Sequence, residues 1–263
     1  MDMMRRKFIQ SLSAFFAGYG MAQSGLARPV SDPSIKPRHV ICFLGEWKSL
    51  TVAEKIVSEF GKGFTLDLEY SMSMPDVRME KAFSASIDRV SKTFTSEDWA
   101  RVKRHNTIAY VLSPPIEQDK ALSISTVALE LTTQLIRAGA TAVKSESAGI
   151  AHGLDHWLYL AEKKAVRSAW VRRPIQEKQT LYSCGMHLLG QPDIECTGNF
   201  EALDAVRWID ELTEKFINEK AIPDRFTIDN LKAPAKHLQR VPCTRYAKDD
   251  FFFNPYGYVR INA

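Results

Sequence analysis

The 263-residue chain lacks the signatures that would settle its chemistry. It has no Gly-x-Gly-x-x-Gly and no phosphate loop, and neither Gly-x-Ser-x-Gly nor His-Glu-x-x-His occurs. The standard dinucleotide, nucleotide, serine-hydrolase and zinc-protease patterns are therefore excluded. No apolar run reaches the roughly 20 residues that span a bilayer, so no stable membrane span is expected. There is neither an internal repeat nor a low-complexity segment. Cysteine is sparse, with Cys42, Cys184, Cys196 and Cys243 only, an even number that allows a disulfide in an oxidising compartment. With 45% hydrophobic and 25% charged residues, disorder is excluded as well.

Charge is also modest. The formal net charge is +4, and residues 1–27 carry Arg5, Arg6 and Lys7 against Asp2, so +2 remains beyond them. No nucleic-acid partner is expected, because phosphate neutralisation needs a concentrated positive face. The one basic run, Lys163, Lys164, Arg167, Arg172 and Arg173 around Trp170, is expected to be a solvated helix end and loop.

The positive features begin at the N-terminus. Met4 to Gln10 reads MRRKFIQ, which looks like a bacterial twin-arginine export signal; an uncharged segment and Gly25-Leu26-Ala27 come after it. Residues 1–27 are expected to be a signal peptide cleaved after Ala27, delivering the chain to the periplasm or beyond. Residues 28–38, with Pro29, Pro33 and Pro37, are expected to form an extended linker, and residues 39–263 a single large domain.

Hydrophobic period divides that domain. His39–Leu44 and Thr107–Leu112 are buried strands bounded by turn residues. Phe64–Tyr70 and Ala82–Val90 alternate as half-buried strands do, and Gln179–Leu189 and Ile194–Cys196 form two strands joined by the turn Gly190-Gln191-Pro192-Asp193. Helices are expected from Ser49 or Thr51 to Phe60, from Thr95 through Val102, and over Asp119–Ala138, Ala151–Lys164 and Phe200–Glu219, the last capped by Asn199. Thr141–Lys144 and Tyr256–Ile261 complete the strands. The fold class is α/β: an α+β sandwich with a mixed sheet covered by helices. Met72, Met74 and Met79 fill core or make an adaptable surface. The aromatic tail, Phe251 to Tyr258, closes the core or offers a patch to a partner.

Three segments carry a resemblance: His105–Leu112 (HNTIAYVL); Ala138-Gly139-Ala140-Thr141-Ala142-Val143 with Ser147-Ala148-Gly149; and the run from Ser183-Cys184-Gly185-Met186 to Gly190-Gln191-Pro192-Asp193-Ile194-Glu195. Together they resemble the bacterial "domain of unknown function 4261" family over roughly residues 39 to 262. The resemblance implies a fold and matches Glu195 to an acidic hairpin residue of that family. It implies no reaction.

Two chemistries remain open. His152 and His156, four apart and so on one helical face, could bind zinc with Cys184 and His187, or with Asp155 or Glu146. A strand through residues 183–187 would instead point Cys184 and His187 to opposite faces. Alternatively, Cys184 is a nucleophile with His187 or His156 as base and Glu146 or Glu195 orienting it. Each of these residues also fits a buried structural role. No cofactor is expected, zinc being the one the histidines could hold. Cys196–Cys243 is the expected disulfide, and Cys42 a small buried hydrophobe. The chain is expected to be an exported, non-catalytic module binding another protein, as an immunity or accessory factor does; the alternative is a metal- or thiol-dependent hydrolase of the envelope.

Overall fold

The structure, a computed structural model, describes residues 30–32, 34–87, 93–177, 179–218, 225–227 and 237–262. The export signal and its cleavage site lie outside them. Two sheets, not one, share a single core. The first has the order β2-β3-β1-β4-β5, all antiparallel: β1 (Val40–Gly45) is central, with β3 (Thr107–Leu112) and β4 (Ala140–Ser145) beside it and β2 (Thr65–Leu66) and β5 (Ile150–His152) at the edges.

The second has the order β6-β7-β8-β11-β10-β9, from β6 (Arg172–Glu177), β7 (Thr180–Cys184), β8 (Asp193–Thr197), β9 (Arg225–Thr227), β10 (His237–Val241) and β11 (Tyr258–Asn262). Among the described residues its one parallel pair is β8 with β11. Seven α-helices are described: α1 (Thr51–Phe60), α2 (Arg78–Ser86), α3 (Ser96–Arg104), α4 (Ala121–Arg137), α5 (Leu154–Glu162), α6 (Val166–Trp170) and α7 (Ala202–Ile217).

Strand alternation builds the core. On β1, Ile41 and Phe43 join a large apolar cluster that also takes Ile194 and Cys196 from β8 and Ile261 from β11, so both sheets bury one face in it. The other face of β1, with Val40, Cys42 and Leu44, packs under Met79 and Phe83 of α2 and Val102 of α3. The α4 helix lies in the large cluster through Ala128, Leu131 and Leu135, and Gly139, at φ +103°, turns the chain out of it into β4. The N-terminal capping box of α3 forms as its sequence predicts, Thr95 and Asp98 each satisfying the other's backbone amide.

Several expectations fail for local reasons. The expected strand Ala82–Val90 is helical as far as Ser86, in a helix over Arg78–Ser86, because Met79 and Phe83 stand four apart and both are buried against the first sheet; residues 88–90 lie outside the described residues. The expected strand Phe64–Tyr70 shrinks to Thr65–Leu66; the Asp67 side chain takes the amides of Glu69 and Tyr70 and turns the chain away. The helix expected from Ala151 starts at Leu154, since Ile150–His152 is recruited as an edge strand beside β4. The strand expected to run to Leu189 ends at Cys184, where Gly185 adopts φ +119° and leads into a 3-10 turn, Met186–Leu189.

Asn199 is exposed and does not cap α7, whose N-cap is Glu201 without a side-chain bond. Cys196 and Cys243 form no disulfide, and all four cysteines are buried free thiols. The aromatic tail goes inward: Phe253, Tyr256 and Tyr258 are buried, which removes it as a docking patch. The Pro-rich segment before β1 is docked as well, its Asp32 amide donating to the Pro255 carbonyl at 2.7 Å and its Ile35 packing near Cys243.

Candidate functional site

The histidine pair expected on one helix is divided between two elements. His152 ends β5 and His156 lies in the first turn of α5, yet their ring centroids are 5.0 Å apart because Gly153 joins strand to helix directly. Gly153 has no room for a side chain: a Cβ would stand 2.5 Å from Asp98 Oδ2. Asp98 also accepts from the Leu154 amide at 3.2 Å, so one buried carboxylate serves the starts of both α3 and α5.

His152 Nδ1 is 3.4 Å from the Thr93 hydroxyl, and Nε2 has no hydrogen-bond partner among the described residues. Burial first, then the neighbouring His156, pushes His152 down to about 3. It is a neutral ring at any ordinary pH. Asp155 is exposed and Glu146 is engaged elsewhere, 2.7 Å from Lys144. Among the described residues no group of three or more His, Cys, Asp or Glu side chains is placed to hold a metal. His152 and His156 could offer zinc two nitrogens, and Cys184 and His187 do not complete the set.

Cys184 and His187 diverge, the glycine between them and the 3-10 turn sending them to different neighbours. Cys184 is buried beside Asp193, and burial followed by that carboxylate holds its thiol well above the usual range, the reverse of what a nucleophile needs. His187 is fully buried near His39, which feels its charge. Neither ring nitrogen of His187 has a hydrogen-bond partner among the described residues; burial brings it down to about 4, opposed weakly by backbone groups of Ser147 and Phe251.

The tautomer of His39 is set by its partner. The single hydroxyl proton of Ser125 goes to the Leu188 carbonyl at 2.6 Å, so His39 Nε2–H donates to Ser125 Oγ at 2.8 Å, leaving Nδ1 as an acceptor. Glu195 is an anchor between two cations, with Arg260 Nε donating at 2.6 Å and Arg245 at 3.3 Å. Among the described residues, no hydrogen bond joins His187 to Cys184 or Glu195.

The polar residue that organises this region is one the turn pattern assigned only to a bend. Asp193 is buried and accepts from Ser183 Oγ (2.9 Å), the Met186 amide (3.2 Å) and Asn254 Nδ2 (2.7 Å). It thereby ties the end of β7, the 3-10 turn and the tail to the start of β8. Burial outweighs these donors and pushes its carboxyl up to about 7. The Gly-x-Pro-Asp spacing was the available signal, but nothing in it reports a partner 61 residues away. The basic run divides: Lys163 and Lys164 are exposed at a solvated helix end, whereas Arg167 pairs with Glu214 and Asp210 and Arg173 with Asp210, around a buried Trp170.

The opposite pattern occurs between β2 and α2. Residues 67–77 expose Leu68 at 62%, Met74 at 60% and Val77 at 94%, although the segment is held at both ends. The Asp67 amide donates to the Tyr110 carbonyl (2.8 Å), Met72 exchanges two backbone bonds with Ile108 (both 2.8 Å), and the Tyr110 amide donates to Ser71 Oγ (2.9 Å). At its far end the Asp76 amide donates to His105 Nε2 at 3.0 Å while His105 Nδ1–H reaches the Val102 carbonyl. Asp76 is also forked by Arg78, which holds its carboxyl below the usual range. Of the three methionines, Met79 is core and Met74 is surface.

No protein family model, no curated protein and no solved structure matches the chain.

Proposed function

We propose that the chain is an exported, non-catalytic protein-binding module of the bacterial cell envelope, an immunity or accessory factor, and that it docks its partner through residues 67–77. The observation that carries this reading is a pinned loop presenting three large apolar side chains to solvent. Such a loop has already lost its conformational freedom, so binding need not order it again. Large apolar side chains clustered in solvent mark surfaces that a partner covers, and methionine is enriched in interface cores. Export rests on Arg5-Arg6 and the small residues ending at Ala27. The hydrolase alternative has less support, since His152, Cys184 and His187 are buried and the Cys184 thiol is held well above its usual range. No helix among the described residues is long and apolar enough to cross a membrane.

A photo-crosslinking residue placed at position 74 of the full chain, in cells that export it, tests the proposal. One discrete adduct is expected, absent when the same group is placed at Lys55 on the exposed side of α1 and lost when Leu68 and Val77 are changed to Asp. No adduct at 74, or equal adducts at 74 and 55, overturns it.

A further inference from the structure

Cys196 cannot be the partner of Cys243, because the two lie on opposite faces of the second sheet. Cys196 is paired in register with Leu181 and Ile261 and faces the large core with them. Cys243 belongs to the cluster on the other face, with Tyr182, Tyr258 and Phe253. Cys184 stands two residues after Tyr182 on β7, and alternation puts it on that same outer face. Cys42 is in the first sheet, beside Tyr110.

The segment after β10 crosses the outer face toward β7. Its Arg245 guanidinium stacks 4.0 Å over the Tyr182 ring, and the Tyr246 hydroxyl bonds the Tyr182 hydroxyl at 2.9 Å. Cys243, which starts that crossing, is carried over the same row of side chains. Cys243 packs there with Tyr182 and Tyr258, and Cys184 follows Tyr182 by two positions on the same strand.

We infer that Cys184 and Cys243 are the two thiols joined when the chain is oxidised, stapling the tail crossing to β7. With glutathione disulfide as oxidant, one protein thiolate attacks it and releases one glutathione. The second protein thiolate then attacks the mixed disulfide and releases another. Two protons leave the protein, the new bond is Sγ–Sγ, and the oxidant is reduced to two thiols. Burial disfavours both thiolates in the closed chain, so the bond forms while the tail crossing is open.

The full chain, refolded from denaturant with glutathione disulfide and then digested without reduction, tests the assignment. The expected result is one linked peptide pair containing Cys184 and Cys243, with two thiols left to alkylate, and a melting temperature that falls by on the order of 5 °C or more when dithiothreitol is added. Cys196→Ser leaves the link in place, and Cys243→Ser abolishes it. Four alkylatable thiols after oxidative refolding, or a linked pair containing Cys196 or Cys42, overturns the inference. The unsubstituted chain decides the matter even where a variant does not fold, and the outcome is independent of the docking role of residues 67–77.

Discussion

Two connecting segments of this molecule reverse the usual distribution of side chains. Between β7 and β8, the run rich in Cys, His and Asp is buried throughout, its polar groups locked to one another or left unpaired in the core. Between β2 and α2, a run of Leu, Met and Val faces solvent on a backbone held over Asp67 to Met72 and again at Asp76. Residue types that carry chemistry mark the first segment and exposure marks the second. A Cys, His or Asp becomes a reactive site only where solvent or substrate reaches it and its pKa is poised, and here burial removes both conditions.

The contrast breaks most sharply at Gly185, where the buried segment leaves no room for a side chain. A Cβ there would stand 2.1 Å from the Trp170 carbonyl, at a φ that L-residues avoid. Gly185→Ala should cost about 3 kcal/mol or more, measured as the shift of a urea midpoint; a loss under 1 kcal/mol would mean the turn relaxes freely. Acid comes next. His39, His152 and His187 have folded values near 3, 3 and 4, below their unfolded value of about 6.5. Their stabilising neutrality is complete above pH 6.5 and is lost as pH falls toward 4. Asp193, raised to about 7, acts in the opposite sense, with its contribution present below about pH 4 and lost as pH rises to 7. Unfolding between those limits therefore takes up a net two protons, and stability should fall by about 2.7 kcal/mol per pH unit on acidification. His187→Gln should reduce that slope by about half, and a slope unchanged by it would show that His187 is charged or accessible.

Asp193→Ala ranks third. It strands the Ser183 hydroxyl, the Met186 amide and the Asn254 amide in the core, at a cost of about 2 to 3 kcal/mol. Asp193→Asn should recover part of this, because its carbonyl in place of Oδ1 still accepts from Ser183 and Met186, and only the Asn254 bond is lost.

The sequence makes the α/β class, the buried strands β1 and β3 and the long helix α4 evident, because each rests on local period and flanking turn residues. It misleads where tertiary contacts decide. Met79 and Phe83 fit either period until the first sheet is there to cover them. Ile150–His152 has helical spacing with the residues of α5, and only the free edge of β4 makes it a strand. In the candidate site, residue identity was visible and connectivity was not: Asp193 with Asn254 and Glu195 with Arg245 are long-range pairs. Met74 and Met79 are chemically identical in the sequence, and only the packing of α2 separates surface from core.

The smallest effect on stability should come from the exposed segment, and it bears most directly on function. Leu68, Met74 and Val77 have most of their surface in water already, so replacing all three with Ser removes little burial and should change the unfolding free energy by under about 1 kcal/mol. Asp67→Ala is the counterpart, since it keeps the apolar side chains and deletes the acceptor for the Glu69 and Tyr70 amides. If preorganisation is what this loop contributes, Asp67→Ala should weaken crosslinking at position 74 although no contact side chain has changed, and hydrogen exchange at Glu69 and Tyr70 should rise with it. Weakened crosslinking with unchanged exchange would place Asp67 itself in the interface, and unchanged crosslinking with faster exchange would show that the side chains suffice without the rigid backbone.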